Sequence, residues 1–268
     1  MKGKFYFVGT PIGNLKDFSI NQIETLKSVD TILCEDTRTS RTLLDYFEIK
    51  KPLLAYHKFN YKEIIPKIID RLLGGENFAL ISDAGMPVIS DPGAEIIEKL
   101  KENDISYTAV GGVSAFLNAF VLSGMSCPFT FLGFLPSKNK ERDNLMMEFA
   151  SLKSTLIFYS SVHDINKDIA YLFEKLGDRK ICVLRELTKL FEEISFSTLK
   201  EGYEGTKKGE FVICVEGKKE DENNLTIEEC VDYYLGLGYT KNEAYKLAAK
   251  EKNMTKSEIY NYFIRKDE

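Results

Sequence analysis

The chain has 268 residues, of which 44% are hydrophobic and 29% charged, with a formal net charge of −5. This length holds two cores, the composition is that of a soluble globular protein rather than a disordered one, and the acidic balance excludes a generic polyanion coat. No apolar run reaches a membrane span, and the start M-K-G-K-F-Y-F-V-G is too short for a signal peptide. The five cysteines, Cys34, Cys127, Cys182, Cys214 and Cys230, are odd in number and form no C-x-x-C. Cys34, Cys182 and Cys214 lie inside apolar runs and read as small core residues of a cytoplasmic protein, and with only His57 and His163 no metal site is expected.

Phe5–Val8 reads as a strand entering the loop Gly9-Thr10-Pro11-Ile12-Gly13-Asn14. Ser19 caps a helix to Lys27, and the strand Thr31–Cys34 runs into Glu35-Asp36-Thr37-Arg38, with a helix from Thr39 or Ser40 through Phe47. A short strand at Leu53–Tyr56 precedes a helix over Tyr61–Leu73, in which Pro66 predicts a kink or a late start. Phe78–Ile81 is an apolar run of the length a buried parallel strand needs. It breaks into Ser82-Asp83-Ala84-Gly85-Met86-Pro87 and then Ser90-Asp91-Pro92-Gly93, before a helix over Ala94–Asn103. That connection is about twice the usual two to six residues. With Gly85 open to a close approach and Asp83 and Asp91 at the rim, it is the first candidate for a small-molecule site. No G-x-G-x-x-G follows the strand, and no Walker-type loop is present.

Tyr107–Val110 is a further strand, ending in Gly111-Gly112-Val113-Ser114-Ala115 and a helix to about Ser123. Strands alternating with helices predict a mostly parallel sheet. Four of these strands lead into loops rich in Gly, Pro, Ser or acid, and in a parallel sheet such loops share one edge and one crevice. The pattern restarts with strand Phe129–Phe134, helix Arg142–Leu152, strand Thr155–Tyr159, helix Ile165–Leu176 and strand Ile181–Leu184. Closing strands at Glu192–Thr198 and Phe211–Val215 make this half richer in β structure.

Lys218–Asn224 is a polar linker. Beyond it Thr226 caps a helix through Leu235, and Thr240 with Glu243 and Thr255 with Glu258 form capping boxes for helices to about Lys252 and Phe263. With a turn at Asn253-Met254, these three helices read as a helix-turn-helix fold. From Tyr239 to Lys266, seven basic residues (Lys241, Lys246, Lys250, Lys252, Lys256, Arg265, Lys266) against three acids give +4. A nucleic-acid face and a solvated helical cap both fit that charge.

Five motifs in register, V-G-T-P-I-G-N-L (Val8–Leu15), C-E-D-T-R (Cys34–Arg38), S-D-A-G-M-P-V-I-S-D-P-G (Ser82–Gly93), G-F-L-P-S-K (Gly133–Lys138) and R-E-L-T-K (Arg185–Lys189), resemble the ribosomal RNA small subunit methyltransferase I family. That family belongs to the tetrapyrrole-methylase, or class III, S-adenosylmethionine-dependent fold. The resemblance covers nearly the whole chain. It implies an α/β fold class with two α/β domains, residues 1–112 and 113–217, a cofactor cleft between them, and a helix-turn-helix-like domain over 225–268. It also implies a cytoplasmic homodimer that 2′-O-methylates a cytidine of 16S rRNA in the decoding region of the small ribosomal subunit. By position, S-adenosylmethionine would touch Pro11, the loop Asp83–Val88 (Asp83, Ala84, Gly85 and Val88 foremost), Ser114, Ala115, Tyr159 and Leu184.

Three places depart from the family pattern: Gly111-Gly112-Val113-Ser114-Ala115 for P-G-P-S-A, Tyr159-Ser160-Ser161-Val162-His163-Asp164 for Y-E-S-P-H-R, and Phe196-Ser197-Thr198 for R-G-T. The second removes an arginine beside the cleft.

Methyl transfer to a hydroxyl asks for alignment and for a carboxylate, or a lysine of lowered pKa, to take the proton. Glu35, Asp36, Glu186 and Lys189 lie on the expected edge, with Arg38, Arg185 and Lys138 as phosphate partners. Each acid–base pair serves equally well as an ion pair bracing the domain interface. Methylation of a tetrapyrrole on the same fold, or binding of cofactor and RNA without catalysis, are the competing functions.

Overall fold

The computed structural model describes residues 1–219, 226–236, 238–252 and 254–267. They form two compact units, residues 1–217 and 218–268.

The first unit opens with β1 (Phe5–Val8), α1 (Ile20–Ser28), β2 (Thr31–Cys34), α2 (Thr37–Tyr46), β3 (Leu53–Ala55), α3 (Tyr61–Leu73), β4 (Phe78–Ile81), α4 (Ala94–Glu102) and β5 (Tyr107–Val110). The five strands are all parallel, in the order β3-β2-β4-β1-β5. The inner strands β1, β2 and β4 have four residues each, apolar but for Thr31, as strands covered on both faces need, whereas the edge strand β5 leaves Tyr107 and Ala109 exposed. Phe5, Phe7, Leu33, Phe78 and Leu80 pack on one face with Ile65, Ile68 and Leu72 of α3 and Ile96 and Leu100 of α4. The alternate residues Val8, Ile32, Cys34, Ala79 and Ile81 pack on the other with Leu26 of α1 and Leu44 of α2.

Two local expectations need correction. Helix α2 begins at Thr37 rather than Thr39 because Asp36 is its N-cap, its Oδ1 accepting from the Arg38 amide at 2.8 Å. Pro66 neither delays nor divides α3: it lies on the exposed side, where the Lys62 carbonyl it leaves without a donor faces water.

The second half of the unit follows with α5 (Ala115–Ser123), β6 (Phe129–Phe134), α6 (Asn139–Phe149), β7 (Thr155–Ser161), α7 (Ile165–Leu176), β8 (Lys180–Arg185), β9 (Glu193–Thr198) and β10 (Glu210–Val215). Helix α6 lies three residues earlier than expected, because its first turn is exposed and carries no apolar signal. The sheet order is β6-β7-β10-β8-β9. Only β6 and β7 are parallel; β10 runs antiparallel to both β7 and β8, and β9 antiparallel to β8. The amino end of β10 therefore lies beside the carboxyl ends of β7 and β8, with Glu210 opposite Ser161 and Phe211 opposite Arg185. Helices α6 and α7 cover one face; α5 covers the other, Ala119 packing on Ile157, Leu184 and Val212, and Phe116 stacking on Phe131 at 4.3 Å.

The second unit contains α8 (Ile227–Gly236), α9 (Lys241–Glu251) and α10 (Lys256–Asp267) around Cys230, Val231, Ala244, Tyr245, Ala248, Ala249 and Ile259. Thr240 and Glu243 close a capping box on α9, and Thr255 with Glu258 makes the same exchange at α10. Most of the linker, residues 220–225, lies outside the described residues, as do Asn253 and the side chains of Arg265 and Lys266. Among the described residues no helix is long and apolar enough to cross a membrane, and no cluster of His, Cys, Asp and Glu could hold a metal ion.

Candidate active site

Between the two sheets lies a cavity of about 440 Å³, within the range of ligand sites. Its floor comes from the loops that leave the parallel sheet: Ile12 after β1, Asp83–Met86 and Ile89–Asp91 after β4, and Ser114–Ala115 at the start of α5. Its wall comes from the mixed sheet: Phe134, Tyr159–Val162, Leu187, and Gly209–Val212 at the amino end of β10.

The floor is held by its own backbone. Thr10 and Gly85 exchange two main-chain hydrogen bonds of 2.8 and 3.1 Å, and the Thr10 hydroxyl donates to the Ser82 carbonyl at 3.1 Å. Gly85 has φ +81, a conformation costing a residue with a Cβ about 1–2 kcal/mol. The obstacle to a side chain there is the backbone: an added Cβ would sit 3.4 Å from Ile12 and 3.6 Å from the Val113 carbonyl, ordinary contacts. Gly9 and Gly112 stand back to back, and a Cβ on Gly9 would come within 2.8 Å of the Gly112 Cα. Three loops are thus locked together, which a glycine at both points permits. Val88 at φ +78, with Glu186 at +51 and Thr188 at +66 on the opposite side, adds strained positions of the sort that gather at binding sites.

Tyr159 fixes the wall to the floor. Its phenol oxygen bonds with the Ser114 side chain and the Phe116 amide, and burial raises its pKa. Ser114 and Ala115, at the start of α5, line the cavity beside this tyrosine. Behind the wall, Ser160 Oγ donates to Asp168 Oδ2 at 2.7 Å, and Arg142 Nη2 meets Asp168 Oδ1 at 3.0 Å while its Nε donates to the Pro136 carbonyl at 3.1 Å. Asp168 is buried, so this arginine is what compensates its charge.

No lysine or arginine lines the cavity, but the carboxylates Asp83, Asp91 and Glu210 do, the last of them paired with Lys189. Burial, with Glu35 and Asp36 nearby, raises the Asp83 pKa. Burial, then Glu35 and Asp83, pushes Asp91 up to about 6. The field inside favours a cation against these acids, and the apolar walls favour a flat ring.

Of the residues expected to meet a cofactor, Asp83, Ala84, Gly85, Ser114, Ala115 and Tyr159 line this space. Pro11, Val88 and Leu184 do not: Pro11 is buried beside Ile12, which lines the cavity in its place; Val88 packs on the core under β4; and Leu184 is buried against α5.

The expected catalytic groups lie outside the cavity lining. Asp36 caps α2 and is gripped by Arg38 Nε at 3.2 Å and Nη2 at 2.9 Å, which holds its pKa at about 2. Glu35 stands beside it on the same loop, outside the lining. Lys189 Nζ sits 2.9 Å from Glu186 Oε1 and 2.8 Å from Glu210 Oε2. Burial pulls the Lys189 pKa down, but the two carboxylates outweigh it and raise it. Burial likewise pulls Glu186 up, yet Lys189 and the Glu210 amide hold it below the usual range.

The phosphate partners are also engaged. Arg38 is on Asp36, and Lys138, the N-cap of α6, pairs with Glu141 at 2.9 Å. Arg185 is buried, with Nε 3.0 Å from Glu193 Oε2 and Nη1 donating to the Lys208 carbonyl at 3.3 Å.

Sequence reasoning placed Asp91 at a rim but gave it no role. It left out Glu210–Val212 altogether. The signal for Asp91 was present, a second Ser-Asp turn eight residues after the first.

Residues 4–202 match the family model of the tetrapyrrole (corrin/porphyrin) methylases. The chain is 40% identical to the ribosomal RNA small subunit methyltransferase I of Bacillus subtilis, over 97% of this chain and 94% of that one. Among solved structures, a diphthine synthase superposes with a TM-score of 0.65 at 13% identity, covering 81% of this chain and 91% of that one. Uroporphyrin-III-C-methyltransferase from Thermus thermophilus does so with 0.57 at 16%, covering 80% and 94%. At those identities the structures speak for the fold alone. The family match and the near full-length identity together place the chain among the tetrapyrrole methylases, S-adenosylmethionine-dependent methyltransferases, and within them in the ribosomal RNA small subunit methyltransferase I family.

Proposed function

We propose that the protein methylates the ribose 2′-hydroxyl of a cytidine in the decoding region of 16S rRNA, acting in the cytoplasm as a homodimer on the small ribosomal subunit. The observation that carries this reading is the cavity itself, apolar-walled, lined by the carboxylates of Asp83, Asp91 and Glu210 and by no cation. Such a site suits S-adenosylmethionine, a flat base joined to a sulfonium and an amino acid. Asp83 and Asp91 would face its positive charge, the start of α5 at Ser114 and Ala115 its carboxylate, and Ile12, Leu187 and Val212 its ring. Bound there, the cofactor supplies an electrophilic methyl group. The residues of this chain then have two tasks, alignment and proton removal, worth roughly 7–11 kcal/mol and about 10²–10⁴-fold respectively.

Asp91 is the best-placed proton acceptor. Its carboxylate lines the cavity, and burial among acids gives it a pKa of about 6, close to that of an efficient base near neutrality. During transfer of the methyl group that the cofactor supplies, Asp91 would accept the proton of the ribose hydroxyl. Glu186 and Lys189 then brace the rim, with Glu210 as their link to the cavity. The two halves of this body are read as 1–112 and 113–217, since α5 packs on the second sheet. Leu117, Val121 and Leu122 on the outward side of α5 are exposed and supply an apolar face for a second copy.

Tritiated methyl transfer to small subunits from a strain lacking the enzyme, with the product nucleoside identified, tests the reading. The expected product is a 2′-O-methylcytidine. A methylated porphyrinoid and unlabelled rRNA would instead establish the tetrapyrrole reading. Gly85→Val should abolish cofactor binding in isothermal titration, because the loop that Thr10 holds cannot keep its shape.

A further inference from the structure

We propose that Lys207 and Lys208, on the loop between β9 and β10, grip the phosphate backbone of the RNA beside the cavity mouth. This rests on the rRNA reading above, which supplies the polyanion.

The cavity carries no cation, and the basic residues expected to meet phosphate are already engaged: Arg38 by Asp36, Lys138 by Glu141, Arg185 by Glu193. Lys189 is closed between Glu186 and Glu210. A phosphodiester approaching the cavity needs positive charge from elsewhere. The loop Tyr203–Gly209 leads directly into Gly209 and Glu210, which line the cavity. On it Lys207 and Lys208 are exposed, and neither ammonium takes part in an ion pair among the described residues.

The loop is a built support rather than a slack turn. Arg185, only 9% exposed, donates to the Lys208 carbonyl and holds Glu193 Oε2 at 3.0 Å. The other oxygen of Glu193 accepts from the Tyr203 hydroxyl at 3.0 Å, and Tyr203, buried in turn, reaches the Thr206 carbonyl at 3.3 Å. One half-buried carboxylate thus ties together an arginine, a tyrosine and, through them, the carbonyls of Thr206 and Lys208 on either side of Lys207. Such a network fixes the backbone from which the two lysine stems spring. It lowers the entropy lost when they meet a ligand. Lysine suits this task because it acts as a point charge on phosphate without demanding a fixed orientation.

The test uses the full chain and small subunits from the deletion strain. The double variant Lys207→Ala with Lys208→Ala should weaken subunit binding about tenfold at low salt, and flatten the log affinity against log salt slope by roughly 1.4 to 1.8. Lys207→Arg with Lys208→Arg should restore both, and cofactor affinity by titration should stay within twofold in either variant. An unchanged slope in the alanine variant, with the wild type still methylating subunits, overturns the lysine assignment alone. A wild type that neither binds nor methylates subunits overturns it together with the rRNA reading.

Discussion

The parallel sheet and the mixed sheet build one cavity by different means. In β3-β2-β4-β1-β5 every strand points the same way, so every site loop sits at a carboxyl end and supplies backbone shape: Gly85 bridged to Thr10, Gly9 against Gly112, Val88 strained. In β6-β7-β10-β8-β9 the antiparallel β10 brings its amino end to the same edge, and side-chain networks hold the wall: Tyr159 on Ser114, Ser160 on Asp168 and Arg142, Lys189 on Glu186 and Glu210. A backbone-built floor is harmed by changes of conformation. A wall built from side chains is harmed by the loss of a partner.

The largest effect is expected where floor chemistry meets substrate. Asp91→Asn should lower methyl transfer by about 10²–10⁴-fold. Asp36→Asn and Lys189→Met change residues outside the lining, break partly exposed ion pairs and should cost less than about tenfold. The pH profile sharpens the contrast. A carboxylate that must be ionised to accept a proton gives a kcat/KM that climbs with pH and levels off above about 6, the value to which burial and its acidic neighbours push Asp91. A bound sulfonium favours the carboxylate, so the limb in kcat should lie at lower pH. A full rate in Asp91→Asn would return the base to the Glu35–Asp36 or Glu186–Lys189 groups.

Much of the floor was legible because its devices are backbone devices. Gly, Pro and paired Ser-Asp turns after apolar runs announce loops at carboxyl ends, and Asp83–Gly85 and Ser114–Ala115 were located that way. The wall was not legible for a geometric reason. Glu210–Val212 belong to the start of an antiparallel strand, whereas the ligand rule for α/β sheets points to strand ends. The ion pairs of Arg185 and Lys189 were hidden for another reason: a charged residue after a strand gives no sign of whether it faces a ligand or an internal partner. Glu193 and Glu210, the partners that decide, lie eight and twenty-one residues further on.

An intermediate effect should come from the wall's buried pair. Asp168→Ala leaves Arg142, whose side chain is 18% exposed, without its carboxylate, and Ser160 without its acceptor. Breaking a buried pair from one side costs about 3–5 kcal/mol. Chemical denaturation should show a loss of that size, smaller in Asp168→Asn, which keeps the hydrogen-bonding shape. A loss under about 1 kcal/mol would mean that water reaches the pair and that Ser160–Val162 is held in place by packing.

The smallest effect on both floor and wall is expected from removing the helical unit. Each sheet completes its cores with residues before Gly217, and the helices after the linker enclose a core of their own. Truncation after Lys219 should therefore leave a folded body with unchanged cofactor affinity. What it removes is charge. On α9 the positions Ala244, Tyr245, Ala248 and Ala249 face inward, which turns Lys246 and Lys250, one helical turn apart, to the surface; on α10 Ile259 faces inward and Lys256 and Tyr260 are exposed. Lysines at such spacing beside an exposed aromatic ring suit the backbone and bases of single-stranded RNA. Subunit affinity measured at two salt concentrations should fall a few-fold on truncation, with a shallower slope as phosphate contacts disappear. Equal affinities and equal slopes would make the unit a passive cap, and would leave the whole grip on RNA to Lys207, Lys208 and the cavity mouth.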